Sequence, residues 1–214
     1  MSLLALDASG PQAGLALVDD SGTLKGHWTT PLKPGLIETL PMLLQEALAV
    51  GQHVTDFAVC IGPGSFTGLR TSIALAQGVA AGLSIPLWGI CAWAAYQEAL
   101  PSLPHPLWVA LRARRGRLFL LRDGKAEAVA DEHLPVPPTP IYVAGEEAAL
   151  VAQALCARGV EAHLTDVSLI NPLWVGLAAL RQKQAGQSPT PALPLYVDPP
   201  EAKLPAAGLR PAPL

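Results

Sequence analysis

The sequence predicts an α/β fold in two domains, with mixed sheets flanked by helices. Three observations carry that expectation. Residues 56–83, DFAVCIGPGSFTGLRTSIALAQGVAAGL, pass from a short apolar run through a glycine loop into a helical pattern, a strand–loop–helix unit. Residues 3–29 alternate apolar runs with polar turns and read as a meander. Pro101, Pro104 and Pro106 then interrupt the pattern before a second set of strands, dividing the chain into residues 1–103 and 104–214.

The elements of the first domain follow from local pattern. Leu3 to Leu6 is an apolar strand ending in Asp7-Ala8-Ser9-Gly10, and Ala13 to Val18 is its hairpin partner. After the turn at Asp19-Asp20-Ser21-Gly22, Thr23 to Thr29 returns as a third strand, and Gly26 inside it marks an edge or a bulge. A helix then runs to about Val50, with Gly51 past its end as a C-cap. Pro41 fits if Thr39 caps a start near Leu40, or if the first turn is kinked at the proline. Leu36, Leu40, Leu43, Leu44, Ala47 and Leu48 cover more than one stripe, so one face meets the sheet and another is free for a partner.

Phe57 to Ile61 reads as a buried strand and Leu69 onward as a helix. Between them Gly62, Pro63, Gly64 and Gly68 form a loop, with Ser65 or Thr67 as the side-chain cap. A helix N-terminus behind such a loop can hold a phosphate, or the loop is a tight turn that packs the helix on its strand. GPGSFTG is neither G-x-G-x-x-G nor a P-loop, since four residues follow the second glycine and no lysine comes after. Along the helix, Ala74, Gly78 and Ala81 share one face without bulk, suited to close approach of another helix or to packing within the domain. Pro86 to Ile90 is a brief strand and Cys91 to Leu100 a short helix.

In the second domain, Leu107 to Leu111, Leu118 to Arg122 and Ala126 to Ala130 form another meander. Ile141 to Val143 is a strand, and Glu146 to Ala157 a helix ended by Gly159. Asn171 as N-cap with Pro172 behind it opens a last helix to about Gln184. From Ser188 the tail is proline-rich and extended, with one further strand expected at Leu195 to Val197. No internal sequence repeat is visible.

Half of the 214 residues are hydrophobic and only 14% are charged, which excludes a disordered chain. A net charge of -3 and a pI near 5.9 give no footprint for independent nucleic-acid binding, so any RNA contact needs a partner's basic surface. Cys60, Cys91 and Cys156 are odd in number and set among apolar neighbours, as expected of free thiols in a reducing compartment. Asp7 interrupts what would be a signal peptide's apolar core, and no apolar run is long enough to cross a bilayer. A cytoplasmic location, away from membranes, is the expectation.

Catalytic constellations are sparse. His27, His53, His105, His133 and His163 are far apart in sequence and form no H-x-x-x-H or H-E-x-x-H pair, so no metal site is expected. Ser65 is not a nucleophile elbow, because the glycine that G-x-S-x-G requires falls one residue late. Arg112, Arg114, Arg115, Arg117 and Arg122 form one basic cluster, read as a solvated turn ahead of an RNA contact.

GPGSFTGLR after an apolar strand, together with an N-terminal LLALDAS, resembles the TsaB (YeaZ) family, a subunit of the bacterial machinery that makes threonylcarbamoyladenosine (t6A) in tRNA. The resemblance is strong from Leu3 to about Trp93 and faint beyond. Three meandering strands that begin with an Asp-containing turn likewise resemble the start of actin-like ATPase (ASKHA) folds. Asp7 is then a candidate to face phosphates and metal, although the usual glycine-threonine continuation is absent and a turn-forming aspartate is favoured. The chain also departs from the family. Gly35-Leu36-Ile37 stands where histidine-serine-glutamate is frequent, Arg112-Ala113-Arg114 replaces Asp-Ala-Arg, and the tail reads Tyr196-Val197-Asp198-Pro199-Pro200 where an arginine is usual.

The resemblance implies a non-catalytic subunit without cofactor that binds and activates TsaD, the subunit that transfers threonylcarbamoyl to adenosine N6, with TsaE as the ATPase. It implies tRNA contact only through that complex. TsaB and TsaD meet through paired helices, which implicates Leu36, Leu40, Leu43 and Ala47 on the first helix and Arg70, Ala74, Gly78 and Ala81 on the second. A homodimer through the same surface is expected when TsaD is absent. The alternatives are a free-standing actin-like kinase or ATPase using Asp7 and the Gly62 to Gly68 loop, and a metallopeptidase-like hydrolase.

Overall fold

The computed structural model describes residues 2–31, 36–50, 53–113 and 116–197, apart from the side chains at 31 and 36–38. The first sheet is built from β1 (Ser2–Asp7), β2 (Gln12–Asp19), β3 (Leu24–Pro31), β4 (Val54–Gly62) and β5 (Leu87–Cys91) in the order β3-β2-β1-β4-β5. The meander β1–β2–β3 is antiparallel, and β1, β4 and β5 run parallel. Parallel neighbours need crossovers, and α1 (Leu36–Val50) and α2 (Phe66–Leu83) supply two of them. Gly26 lies on an edge strand and beside a register shift, so both features expected of it are present.

The second sheet contains β6 (Leu107–Arg112), β7 (Arg117–Arg122), β8 (Lys125–Ala130), β9 (Ile141–Ala144) and β10 (Ala162–Leu164), in the order β10-β9-β6-β7-β8. It repeats the first sheet's plan of an antiparallel meander followed by parallel strands. This internal duplication is topological, which is why no sequence repeat announces it. The three-residue β10 and a 3-10 turn at Asp131–His133 are also absent from the sequence expectation.

Alternation along the strands distributes side chains among three cores. Leu4 and Leu6 of β1 face α1 and α2, whereas Leu3 and Ala5 face α3 (Ala92–Ala99) and α5 (Pro172–Gln184). In β6, Val109 and Leu111 join that same middle layer from the other side, and Trp108 and Ala110 pack against α4 (Ala148–Cys156). The layers therefore run helices, sheet, helices, sheet, helix.

Of the stretch 104–214 expected to make the second domain, α5 is attached to β1 and β2 of the first sheet. Lys183 Nζ donates to buried Asp56 at 2.5 Å, and Trp88 Nε1 donates to the same carboxylate at 3.1 Å. The chain after α5 straps the first lobe, with Gly89 N donating to Thr190 O at 2.9 Å and Leu195 N to Ile61 O at 2.8 Å. The strand expected at Leu195 to Val197 is not formed, because this segment makes one bond to the end of β4 instead of a ladder. Asn171 caps α5 as expected, accepting from Leu173 N at 3.0 Å. In α1 the helix begins at Leu36, so Pro41 lies inside it and Thr39 is not its cap.

Candidate functional site

The glycine loop joins β4 to α2 at the carboxyl end of the first sheet. Helical geometry starts at Phe66, three residues before the expected Leu69, because Ser65 is the N-cap and its Oγ accepts from Gly68 N at 3.2 Å. Ser65 N in turn donates to Ser9 O at 2.7 Å, fixing the β1–β2 turn on the loop. The approach is close enough to demand glycine. A Cβ at Gly64 would stand 2.3 Å from Ser9 O, and one at Gly68 would stand 1.9 Å from Ala8 O.

Asp7 ends β1 directly beneath this contact and is almost fully buried. Its Oδ1 accepts from Ser9 N at 3.1 Å and Ser9 Oγ at 2.7 Å, the self-contained turn of an aspartate that stabilises its own loop. Burial raises its pKa above 3.8, with the Ser9 hydrogen bonds opposing. Burial and the neighbouring Asp7 charge likewise push the Cys60 thiol well up. Tyr96, whose Oη donates to Ser168 O at 3.1 Å, is raised for the same two reasons.

These residues do not fit the nucleotide triphosphate that an actin-like fold implies. The glycines that would cradle phosphates are in contact with the chain's own backbone, and Gly68 N–H is already taken by Ser65. Asp7 is committed to Ser9. The loop is thus a packing turn.

Beside it, a cleft of about 700 Å3 separates the two lobes. One wall carries Phe66, Arg70 and Tyr196, and the opposite wall carries Arg112, Phe119 and Glu146. The Arg70 guanidinium lies 3.8 Å above the Phe66 ring, and its Nε donates to Tyr196 Oη at 2.9 Å. Arg112 Nε pairs with Glu147 Oε1 at 2.8 Å, which raises the guanidinium's pKa further. Burial raises the Glu146 carboxyl, with Arg112 opposing and Glu147 and Asp7 reinforcing. Sequence reading did not single out Phe66 or Glu146. The i, i+4 spacing of Phe66 and Arg70 on one helix is the signal that finds the first.

The expected helix-pair surface is corrected in part. Leu40 and Ala47 are wholly buried in the first lobe's own core, with Leu44 beside them, because the i, i+4, i+7 stripe of α1 faces the sheet. Leu43 is half-buried against that core. Leu36 belongs to α1, but its side chain lies outside the described residues. The apolar residues that α1 does expose are Met42 and Val50. On α2, Arg70, Ala74, Gly78 and Ala81 are all exposed, and a Cβ at Gly78 or Gly82 meets nothing within 4 Å among the described residues.

Elsewhere, the described arginines of the expected cluster each have a partner within the chain. Arg112 pairs with Glu147, Arg117 donates to Ala128 O at 3.1 Å, and Arg122 pairs with Glu127 at 2.6 Å; Arg114 and Arg115 lie outside the described residues. His105 and His163, distant in sequence, stack at 6.2 Å beside Tyr142. Among the described residues no group of three or more His, Cys, Asp or Glu is placed to hold a metal, and no helix is long and apolar enough to cross a membrane.

The family model of TsaD, tRNA N6-adenosine threonylcarbamoyltransferase, matches residues 35–162. The Escherichia coli K12 tRNA threonylcarbamoyladenosine biosynthesis protein TsaB is 36% identical over 93 residues, 42% of this chain and 40% of the relative. Its Bacillus subtilis 168 counterpart is 28% identical over 142 residues, 62% of this chain and 61% of the relative. The chain thus spans between two fifths and three fifths of the length of these two curated relatives. YeaZ from Pseudomonas aeruginosa superposes with a TM-score of 0.71 at 23% identity, covering 92% of this chain and all of that one, and the fold is the two-domain actin-like one. With the family model matched over more than half of its length and curated TsaB proteins among its relatives, the chain belongs to the TsaB (YeaZ) branch of the threonylcarbamoyltransferase family.

Proposed function

We propose that this chain is a non-catalytic subunit of the machinery that makes threonylcarbamoyladenosine in tRNA, and that it binds and activates a TsaD-like transferase. The observation that carries the reading is the glycine loop, whose two close contacts with Ser9 O and Ala8 O leave no room for a phosphate cradle. A fold that binds nucleotides elsewhere is here closed at that point by its own backbone. The exposed α2 face then supports the second half of the reading. Ala74, Gly78 and Ala81 form a shallow stripe that permits a partner helix to approach closely, and Met42 and Val50 are exposed apolar residues on α1.

In this reading the assembly includes a TsaE-like ATPase, works in the cytoplasm, and reaches tRNA as a complex. A homodimer through the same helices forms when TsaD is absent, and the two assemblies exclude each other. Co-purification from the native cells followed by size-exclusion chromatography tests it, with a TsaD-like chain expected in the same peak. The isolated chain is expected to show no ATPase or kinase turnover. Turnover that disappears in Asp7→Ala, with no co-purifying transferase, would replace this reading with a free-standing kinase.

A further inference from the structure

We propose that the mouth of the interlobe cleft, built by Phe66, Arg70, Tyr196 and Arg112, stacks an unpaired RNA base and holds its phosphate, a proposal that rests on the tRNA-modification reading above.

The first ground is aromatic surface left in water at one place. Phe66 is 58% exposed and Tyr196 53%, and their rings lie 6.3 Å apart although 130 positions separate them in the chain. Apolar rings held together at a surface favour a flat partner, and every nucleobase offers a π-face. The second ground is the cation between them. Arg70 is the one charged residue of α2, it is fixed by stacking on Phe66 and by its bond to Tyr196, and among the described residues no carboxylate pairs with it. A guanidinium oriented through Nε keeps its Nη edge for an anion such as a phosphodiester.

The opposite wall completes the site. Arg112, held in place by its Glu147 pair through Nε, adds further guanidinium donors, and Phe119 a further ring, across a cleft of about 700 Å3, within the usual range for a nucleotide-sized ligand. On the same wall Glu146 adds a carboxyl that can hydrogen-bond to a base edge. Loop nucleotides fit such a platform and paired ones do not, because duplex bases hide their faces in the stack. The net charge of -3 opposes RNA overall, so the site adds selectivity within an assembly and does not capture RNA by charge alone.

Fluorescence anisotropy on the full chain assembled with its TsaD partner tests the proposal, using a labelled RNA hairpin with an anticodon-type loop and a blunt duplex of the same stem. The hairpin is expected to bind more tightly than the duplex. Phe66→Ala and Tyr196→Ala should each weaken hairpin binding about tenfold, Phe66→Trp should retain it, and Arg112→Gln should flatten its salt dependence. Association with TsaD, followed in parallel, should not change. Folded alanine variants that bind the hairpin as wild type does, or equal binding of hairpin and duplex, overturn the proposal. Loss of TsaD association in step with RNA binding also overturns it, since the cluster is then a protein-docking surface for an acidic partner. If the wild type fails to assemble with TsaD, the functional reading falls instead, and titration of the full chain alone with the hairpin decides the cleft.

Discussion

The two ends of α2 use glycine for opposite reasons. At the N-terminal end, Gly64 and Gly68 are small because the backbone of the β1–β2 turn occupies the space a Cβ would need. At the C-terminal end, a Cβ at Gly78 or Gly82 would meet nothing within 4 Å among the described residues. The first pair is explained within the chain and the second is not, since glycine inside a helix costs about 1 kcal/mol relative to alanine. Among the described residues no internal contact offsets that cost, as the proposed contact with a helix from another chain requires.

The largest test of that contrast is Gly68→Ala. Alanine is the better helix former, so propensity alone predicts stabilisation. With Ala8 O at 1.9 Å from the new Cβ, overpacking should prevail by about 3 kcal/mol, lowering Tm in thermal denaturation by about 6–12 °C. An unchanged Tm would remove the internal explanation for the loop. At the other end, Gly78→Leu should leave the circular dichroism of the isolated chain intact. Its association with a TsaD-like partner, and with itself, should weaken by about 1–3 kcal/mol in calorimetry, the usual cost of excess bulk in a packed contact. A folded variant that keeps both associations would place the interface elsewhere.

Gly78→Ala sharpens the same comparison with a smaller change. The isolated chain should gain about 1 kcal/mol, seen as a Tm rise of about 2–4 °C, because nothing within 4 Å among the described residues opposes the methyl. A fall in Tm would mean that the face is not free. The smallest effect is expected under the loop, at Asp7→Asn. Burial raises the folded-state pKa of Asp7 above its ordinary 3.8, so the folded chain prefers the proton. The contribution of Asp7 to wild-type stability is therefore greatest below 3.8, declines as pH rises towards the raised value, and is level above it. Asparagine keeps an acceptor for Ser9 and carries no charge. Its Tm should exceed that of wild type at neutral pH, and the gain should vanish as pH falls towards 3.8. A gain independent of pH would assign the effect to packing.

Much of the fold is legible in the chain because its signals are local. The apolar run of Leu3 to Leu6, the Ser65 cap and the Asn171-Pro172 start of α5 each depend on residues within one turn or one short strand. The motif GPGSFTGLR fixes the family for the same reason. The choice between phosphate cradle and packing turn was not legible, since it depends on where Ser9 O and Ala8 O lie, in the β1–β2 turn more than fifty residues earlier.

What the sequence by itself determined is the order and type of most elements, and the family. Period and capping are properties of neighbouring residues, and they survive whatever the rest of the chain does. Tertiary structure alone decided that Leu40 and Ala47 are core while Met42 and Val50 face outward, because only docking on the sheet fixes the rotation of α1. It also decided that α5 and the strap return to the first lobe, where Lys183 finds Asp56 and Tyr196 finds Arg70, 127 and 126 positions away. Such meetings are set by the packing of whole layers, which no local pattern encodes.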